Sequence, residues 1–206
     1  AWGSNNAGQL GIGSTTNQRT AQQVKTLSNC IQAVAADGHS LALKADGTVY
    51  GWGYNVYGEV GDGSNTDRHA PVQTIGITGA IQIVAGGGMS YALMPDGTLQ
   101  SWGLNLLGQL GDGDIFNSAT PVPVVTITGQ TYISSGWMHG LSLTAVKQAS
   151  SVTLQNLTAT YGNRITLSAT LKNGGNGIPL VMRTLNFAID GVSVGSGRTD
   201  ASGTAT

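Results

Sequence analysis

The 206-residue chain carries 32 glycines, 9 Lys and Arg and 10 Asp and Glu, for a formal net charge of −1. Neutralising phosphates takes clustered Lys and Arg; no basic run occurs, so nucleic acid is not an expected partner. No apolar run approaches the roughly 20 residues of a membrane-spanning helix, and no membrane insertion is expected. Glycine at this density without a collagen period predicts many tight turns between short strands.

In chain order, the sequence opens at Ala1-Trp2-Gly3, which is neither a signal peptide nor the start of a hairpin, so preceding repeats are expected. Gly8-Gln9-Leu10-Gly11 follows. Cys30, the single cysteine, has no partner for an intrachain disulfide, leaves the redox compartment open and is expected as a small buried hydrophobe. Then Gly38-His39-Ser40-Leu41-Ala42-Leu43 leads to Asp46-Gly47-Thr48, Trp52-Gly53 and Gly58-Glu59-Val60-Gly61. The same series returns 50 residues later as Gly88-Met89-Ser90-Tyr91-Ala92-Leu93, Asp96-Gly97-Thr98, Trp102-Gly103 and Gly108-Gln109-Leu110-Gly111. It begins a third time at Met138-His139-Gly140-Leu141-Ser142-Leu143 and stops, with Val146 and Lys147 where Asp-Gly would stand. Asn5, Asn55 and Asn105 keep the same register.

Within one period the pattern predicts strands. Gln82 to Ala85 is one, Ser90 to Met94 a second, and Thr98 to Trp102 a third after the Pro95-Asp96-Gly97 turn. Pro71 to Ile75 is the candidate fourth. Four strands per 40–50 residues is the blade of a β-propeller. The glycines beside Trp are expected where neighbouring blades approach closely.

These residues resemble the regulator of chromosome condensation repeat: an Asp-Gly turn, Trp-Gly-x-Asn, then Gly-x-Leu-Gly-x-Gly, as in Asp96-Gly97, Trp102-Gly103-Leu104-Asn105 and Gly108-Gln109-Leu110-Gly111-Asp112-Gly113. The resemblance covers residues 1 to about 144. It implies a propeller of about seven blades, of which some three are present, so the fold class expected for residues 1–146 is all-β and partial-propeller. Kelch repeats share the period but lack the Trp-Gly-x-Asn series. An open stack leaves an unpaired strand edge, and self-association is expected of it.

After a linker at 147–150 the composition changes. Ile165 to Leu171 alternates apolar and polar residues as a half-buried strand does, Asn173 to Gly177 is a turn, and Thr184 to Ile189 is another strand. Thr199-Asp200-Ala201-Ser202-Gly203 turns into Thr204-Ala205-Thr206. With Leu157 to Gly162 and Phe187 to Gly191, these residues resemble bacterial immunoglobulin-like domains. The resemblance implies a C-terminally incomplete β-sandwich over 151–206 and a place on the cell surface or outside the cell.

Catalytic signatures are missing. Gly-x-Ser-x-Gly and a phosphate loop ending in Gly-Lys-Ser/Thr are both absent. A glycosidase needs two facing carboxylates, and Glu59 is replaced by Gln9 and Gln109. His39 and His139 share a slot with Met89, so the slot reads as architecture, and His69 reads as a solvated loop residue. Asp62 to Asp67 has oxygens at alternate positions but no closing Glu, so calcium is not expected. No metal, cofactor or enzymatic activity is expected.

What varies between repeats are the residues between the fixed glycines: Ser4 to Ala7, Tyr54 to Tyr57 and Leu104 to Leu107, then Ser14 to Thr20, Ser64 to Ala70 and Asp114 to Thr120. A rigid frame with variable loops suits recognition of a protein, peptide or glycan. Tyr54, Tyr57, Leu104, Leu107 and Phe116 are the candidate ligand-binding residues, because large apolar and aromatic side chains dominate hot spots. The same side chains also suit packing between blades. The alternatives are the namesake role of the family, guanine-nucleotide exchange or chromatin binding, and an accessory part of a secreted hydrolase.

Overall fold

The computed structural model describes residues 1–144, 150–154, 169–173, 184–189, 192–202 and 204–205. The chain divides into two compact units, Ala1–Ala145 and Val146–Thr206. All regular elements among the described residues are β-strands.

The first unit holds two four-stranded antiparallel sheets. One runs β1 (Cys30–Ala35), β2 (His39–Lys44), β3 (Val49–Gly53), β4 (Arg68–Gln73). The other runs β5 (Gln82–Ala85), β6 (Met89–Leu93), β7 (Leu99–Gly103), β8 (Ser118–Pro123). A two-stranded sheet of β9 (Gln130–Ser135) and β10 (Gly140–Thr144) follows. Before β1, Gly3 bridges Gln18 as Gly53 pairs with Arg68 and Gly103 with Ser118. Residues 1–27 thus occupy the third and fourth strand positions of a blade, and β9–β10 the first and second of another. The segment at Pro71, expected as a strand of the Gln82–Trp102 sheet, instead pairs with β3. The loop from Tyr54 to Asp67 returns the chain beside β3, so the sheet closes there, and β8 is the fourth strand of the next.

Local chemistry explains the hairpins. Asp46 Oδ1 accepts the Thr48 N–H at 3.0 Å, and Asp96 Oδ1 accepts the Thr98 N–H at 3.0 Å. Gly47 and Gly97 sit at φ +77° and +80°, in the left-handed region that a side chain strains. Gly53 and Gly103, at φ +102° and +103°, answer a second constraint. A Cβ on Gly53 would lie 2.5 Å from Gly38 O in its own sheet and 3.1 Å from Gln9 Cα in the preceding one. The closest approach is therefore within the blade, not between blades as the sequence suggested.

The core lies between sheets. Leu41, Leu43 and Val49 pack with Ile77, Ile83 and Trp102, and Met89, Leu93 and Leu110 pack with Ile133. Equivalent slots expose the dependence on a stacked neighbour: Trp52 and Trp102 are 4% and 0% exposed, while Trp2 is 71% exposed. Leu43 and Leu93 are buried, whereas Leu143 is 62% exposed. The same effect corrects the expectation for Cys30, which is exposed. Ala80, in the equivalent slot, is buried beneath the preceding Asp-Gly turn, where its N–H donates to Gly47 O; among the described residues no such turn covers Cys30.

Side chains stitch the stack. Trp52 Nε1 donates to Gln9 O and Trp102 Nε1 to Glu59 O, both at 2.8 Å. Ser40 Oγ and Ser90 Oγ donate to the same two carbonyls, each at 2.8 Å. The Gln32 amide donates to Ile83 O and accepts the Ile83 N–H, and Gln82 clamps Ile133 in the same way. His39 is buried, with Nε2 2.9 Å from Ser90 Oγ. Since that hydroxyl donates to Glu59 O, Nε2 carries the proton. At the next junction Met89 and Gly140 occupy the His39 and Ser90 slots, an apolar pair for a polar one. Gly140 has no hydroxyl to offer Gln109 O, and Tyr91 Oη donates there instead at 2.6 Å. A Cβ on Gly140 would lie 3.1 Å from that Oη, so Tyr91 and Gly140 depend on each other.

The second unit, taken alone, holds β11 (Ser150–Leu154), β12 (Ala169–Asn173) and β15 (Thr204–Ala205) in one antiparallel sheet. β13 (Thr184–Ile189) and β14 (Val192–Arg198) form a hairpin with an irregularity between Phe187 and Ala188. Thr184 to Ile189 is a strand as expected. Ser150, expected in the linker, opens β11 opposite Asn173. Asp200 Oδ1 accepts the N–H groups of Ser202 and Thr204, closing the turn before β15. The expectations for 147–149, 157–162, 165–168, 174–177 and 190–191 lie outside the described residues.

Two predictions follow from the junctions. Tyr91→Phe should cost about 1 kcal/mol, and Gly140→Ser alone should destabilise. Gly140→Ser made together with Tyr91→Leu, which restores the Leu41 and Ser90 arrangement, should cost clearly less than the sum in a urea-denaturation cycle; strict additivity would contradict the compensation. Burial lowers the His39 pKa to about 4 from 6.5. The neutral ring's contribution is therefore complete above pH 6.5 and is lost as pH falls toward 4, by up to about 3 kcal/mol. His39→Met combined with Ser90→Gly should flatten that part of the stability profile.

Candidate functional site

The loops after each Trp-Gly are held by one buried asparagine per repeat. Asn5, Asn55 and Asn105 are fully buried. Their Oδ1 atoms accept the N–H of Leu10, Val60 and Leu110 at 2.8–2.9 Å. Their Nδ2 atoms donate across the loop to the carbonyls of Ser14, Ser64 and Asp114. Their own N–H groups donate to Asn17, Asp67 and Asn117 Oδ1. A side chain with both a donor and an acceptor is needed to close both ends of this loop, which is why the register keeps Asn.

Asp62, weighed as a calcium ligand, serves its own loop. Its Oδ1 accepts the Ser64 N–H, and its Oδ2 accepts Arg68 Nε at 2.6 Å. Burial pushes its carboxyl up, but the Ser64 and Arg68 bonds outweigh that and hold the pKa below the usual range. Among the described residues no group of three or more His, Cys, Asp or Glu is placed to hold a metal ion.

Three of the five candidate residues come together. Tyr54, Tyr57 and Leu104 line a cavity of about 480 Å³ with Asp37, Glu59 and Trp137. The two tyrosine rings meet edge to face, with centroids 6.2 Å apart. Leu107 is 74% exposed and lines a separate cavity of about 280 Å³ beside Tyr91 and Leu110. Phe116 is 73% exposed on its loop, its N–H donating to Asp114 Oδ1. A larger cavity of about 660 Å³, walled by Leu10, Ala33, Val34 and Trp52, lies on the flank of β1.

Sequence reasoning missed Asp37 and Trp137 and gave Glu59 no binding role. Asp37, Gly87 and Trp137 share one repeat slot, and their variation within a constant frame was the available signal. The Trp137 indole lies over Gly87, where any Cβ would clash, and the Gly87 N–H donates to Trp137 O at 2.8 Å. Glu59 is 1% exposed. Its Oε2 accepts the Tyr57 N–H at 2.9 Å, the bond that Gln9 and Gln109 make to Ala7 and Leu107. Its Oε1 has no partner. Burial pushes its pKa up to about 7 against the backbone N–H bonds of Glu59 and Tyr57, and the Asp67 charge adds to the rise. Burial, Tyr57, Glu59 and Asp67 together raise the Tyr54 phenol.

The family model for the regulator of chromosome condensation (RCC1) repeat matches residues 1–43, 46–93 and 96–143, and a second model of the same description matches 31–59. Among solved structures, human WBSCR16 aligns with a TM-score of 0.58 at 24% identity over 70% of this chain and 39% of its own. Yeast RCC1 (Prp20), in the structure with Kap60 bound, gives 0.55 at 26% identity over 63% and 31%. Prp20p from Saccharomyces cerevisiae, described with its binding properties to Gsp1p and histones, gives 0.53 at 21% identity over 70% and 40%. The chain thus spans a third to two fifths of the structures it resembles. No curated protein matches it.

The Glu59 geometry sets a stability test. A carboxyl whose pKa is raised on folding contributes most below its unfolded value of 4.5, and that contribution is lost as pH rises through 7. Glu59→Gln, which keeps the bond to the Tyr57 N–H, should stabilise the protein by up to about 3 kcal/mol above pH 7 and hardly at all below pH 4.5. Equal melting shifts at both pH values would refute the account.

Proposed function

The chain belongs to the regulator of chromosome condensation repeat family, and on that premise we propose that it is a non-catalytic binding module whose Trp-Gly loops recognise a protein or peptide. The observation that carries this is the asparagine frame: three loops share one set of internal hydrogen bonds while their outward residues change. Leu107 and Phe116 stand exposed on that frame, as binding anchors must before a partner covers them. The likeness to structures described with protein partners, Kap60 in one and Gsp1p and histones in the other, favours a protein ligand over a glycan.

The second unit, with its antiparallel sheet and its β13–β14 hairpin, suits an immunoglobulin-like sandwich carrying the propeller on a cell surface or a secreted protein. A second reading takes the namesake role, nucleotide exchange or chromatin binding, and the 26% identity to yeast RCC1 favours it.

Peptides selected from a displayed random library on the whole chain should lose affinity tenfold or more against Leu107→Ser and Phe116→Ser, while the melting temperature stays unchanged. Retained affinity in both variants would remove the loops as the binding surface. Accelerated nucleotide release from a small GTPase, or tight nucleosome binding, would favour the second reading.

A further inference from the structure

Repeat slots 9, 59 and 109 hold Gln, Glu and Gln, and all three side chains accept the N–H of the residue two before. Gln suffices for that bond. Glu59 adds a buried carboxylate whose ionised form costs stability at neutral pH; its Oε1 lacks any partner, as the neutral Nε2 of Gln109 does in the same slot. A charge kept where a neutral isostere serves elsewhere in the same chain points to a ligand.

The surroundings specify the ligand's chemistry. Oε1 faces Gly88, where an added Cβ would lie 3.8 Å away, and Gly88 and Glu59 line the same cavity. Tyr54, Tyr57 and Trp137 supply aromatic surface around it, and Asp37 supplies a second carboxylate. Asp67 adds to the negative potential at Glu59. Neither Lys nor Arg lines the cavity, and the Arg68 guanidinium is held by Asp62. Aromatic faces attract cations through their quadrupole, and a carboxylate in the same enclosure strengthens that attraction. Glycine at 87 is what admits the Trp137 ring, since any side chain there would meet the indole.

We propose that this cavity takes a cationic side chain, a lysine ammonium or an arginine guanidinium, with Glu59 as the charge partner and Tyr54, Tyr57 and Trp137 as the aromatic walls. The inference rests on the protein- or peptide-binding reading above and names the chemistry that one part of the surface selects. Of the groups facing Glu59, the carboxylates Asp37 and Asp67 and the phenols of Tyr54 and Tyr57 place no positive charge there, so the cation supplies the missing one. A bound cation holds Glu59 ionised, so affinity should climb as pH rises through 7 and binding near pH 6 should release a proton.

The test uses the whole chain and three tripeptides, acetyl-Gly-X-Gly-amide with X as lysine, norleucine or glutamate, followed by amide NMR shifts. The lysine peptide should shift Tyr57, Gly87 and Gly88 saturably, and the other two should not. Glu59→Gln, folded like its sister repeats, and Trp137→Leu should each weaken the lysine peptide about tenfold or more. Equal titration by lysine and norleucine peptides, an unchanged affinity in Glu59→Gln, or no saturable shift at all would overturn the proposal. If library-selected peptides still depend on Leu107 and Phe116 in those cases, the binding reading stands and only the cationic pocket falls.

Discussion

A four-stranded sheet with apolar side chains on its faces cannot close a core alone, and that constraint governs this chain. The carbonyls of Gln9 and Glu59 receive an indole N–H and a serine hydroxyl from the next sheet. The glutamine amides of β1 and β5 grip the backbone of the sheet after them. These bonds fix the distance and register at which Leu41, Leu43, Ile83 and Trp102 exclude water together. Remove the neighbour and the same residue types are left open, as Trp2 and Leu143 are.

Stacking also creates the proposed recognition surface. Since one asparagine per repeat closes each loop from within, outward positions are released from structural duty and can differ. The cavity beside Glu59 draws on all three periods: Asp37 from the first, Tyr54, Tyr57 and Glu59 from the loop that follows it, Leu104 from the second, Trp137 from the third. It exists only because the sheets stand at a fixed spacing.

The propeller repeats were legible because their requirements are local. Asp-Gly-Thr turns, Trp-Gly and the asparagine recur at one offset, and each is satisfied within a few residues or by an identical neighbour. Blade boundaries were less legible: β4 pairs back to β3 across a loop, so Pro71 belongs to the earlier sheet. The clamps of Gln32 and Gln82 left no trace in the sequence pattern because their partners are backbone groups 51 residues away, which carry no side-chain signature. Tyr91 and Gly140 stand far apart in the sequence, and only the structure shows that they form one exchange. Tyr54, Tyr57 and Leu104 were picked out as large side chains on variable loops. Trp137 was passed over although its slot varies as theirs do, from Asp37 through Gly87 to Trp137.

The two seams that flank the β5–β8 sheet are unequal. Between the β1–β4 and β5–β8 sheets lie an indole, a serine, a histidine and a glutamine clamp. Between β5–β8 and β9–β10 the serine has given way to glycine and the histidine to methionine, and the Gln82 clamp remains with backbone bonds from Gly87 and Gln130. Opening therefore has a direction. Under mechanical load or partial denaturation the seam before β9–β10 is the weaker of these two, and its opening takes Trp137 away from the cavity it lines with Tyr54, Tyr57 and Glu59 while the bonds between β1–β4 and β5–β8 stay in place.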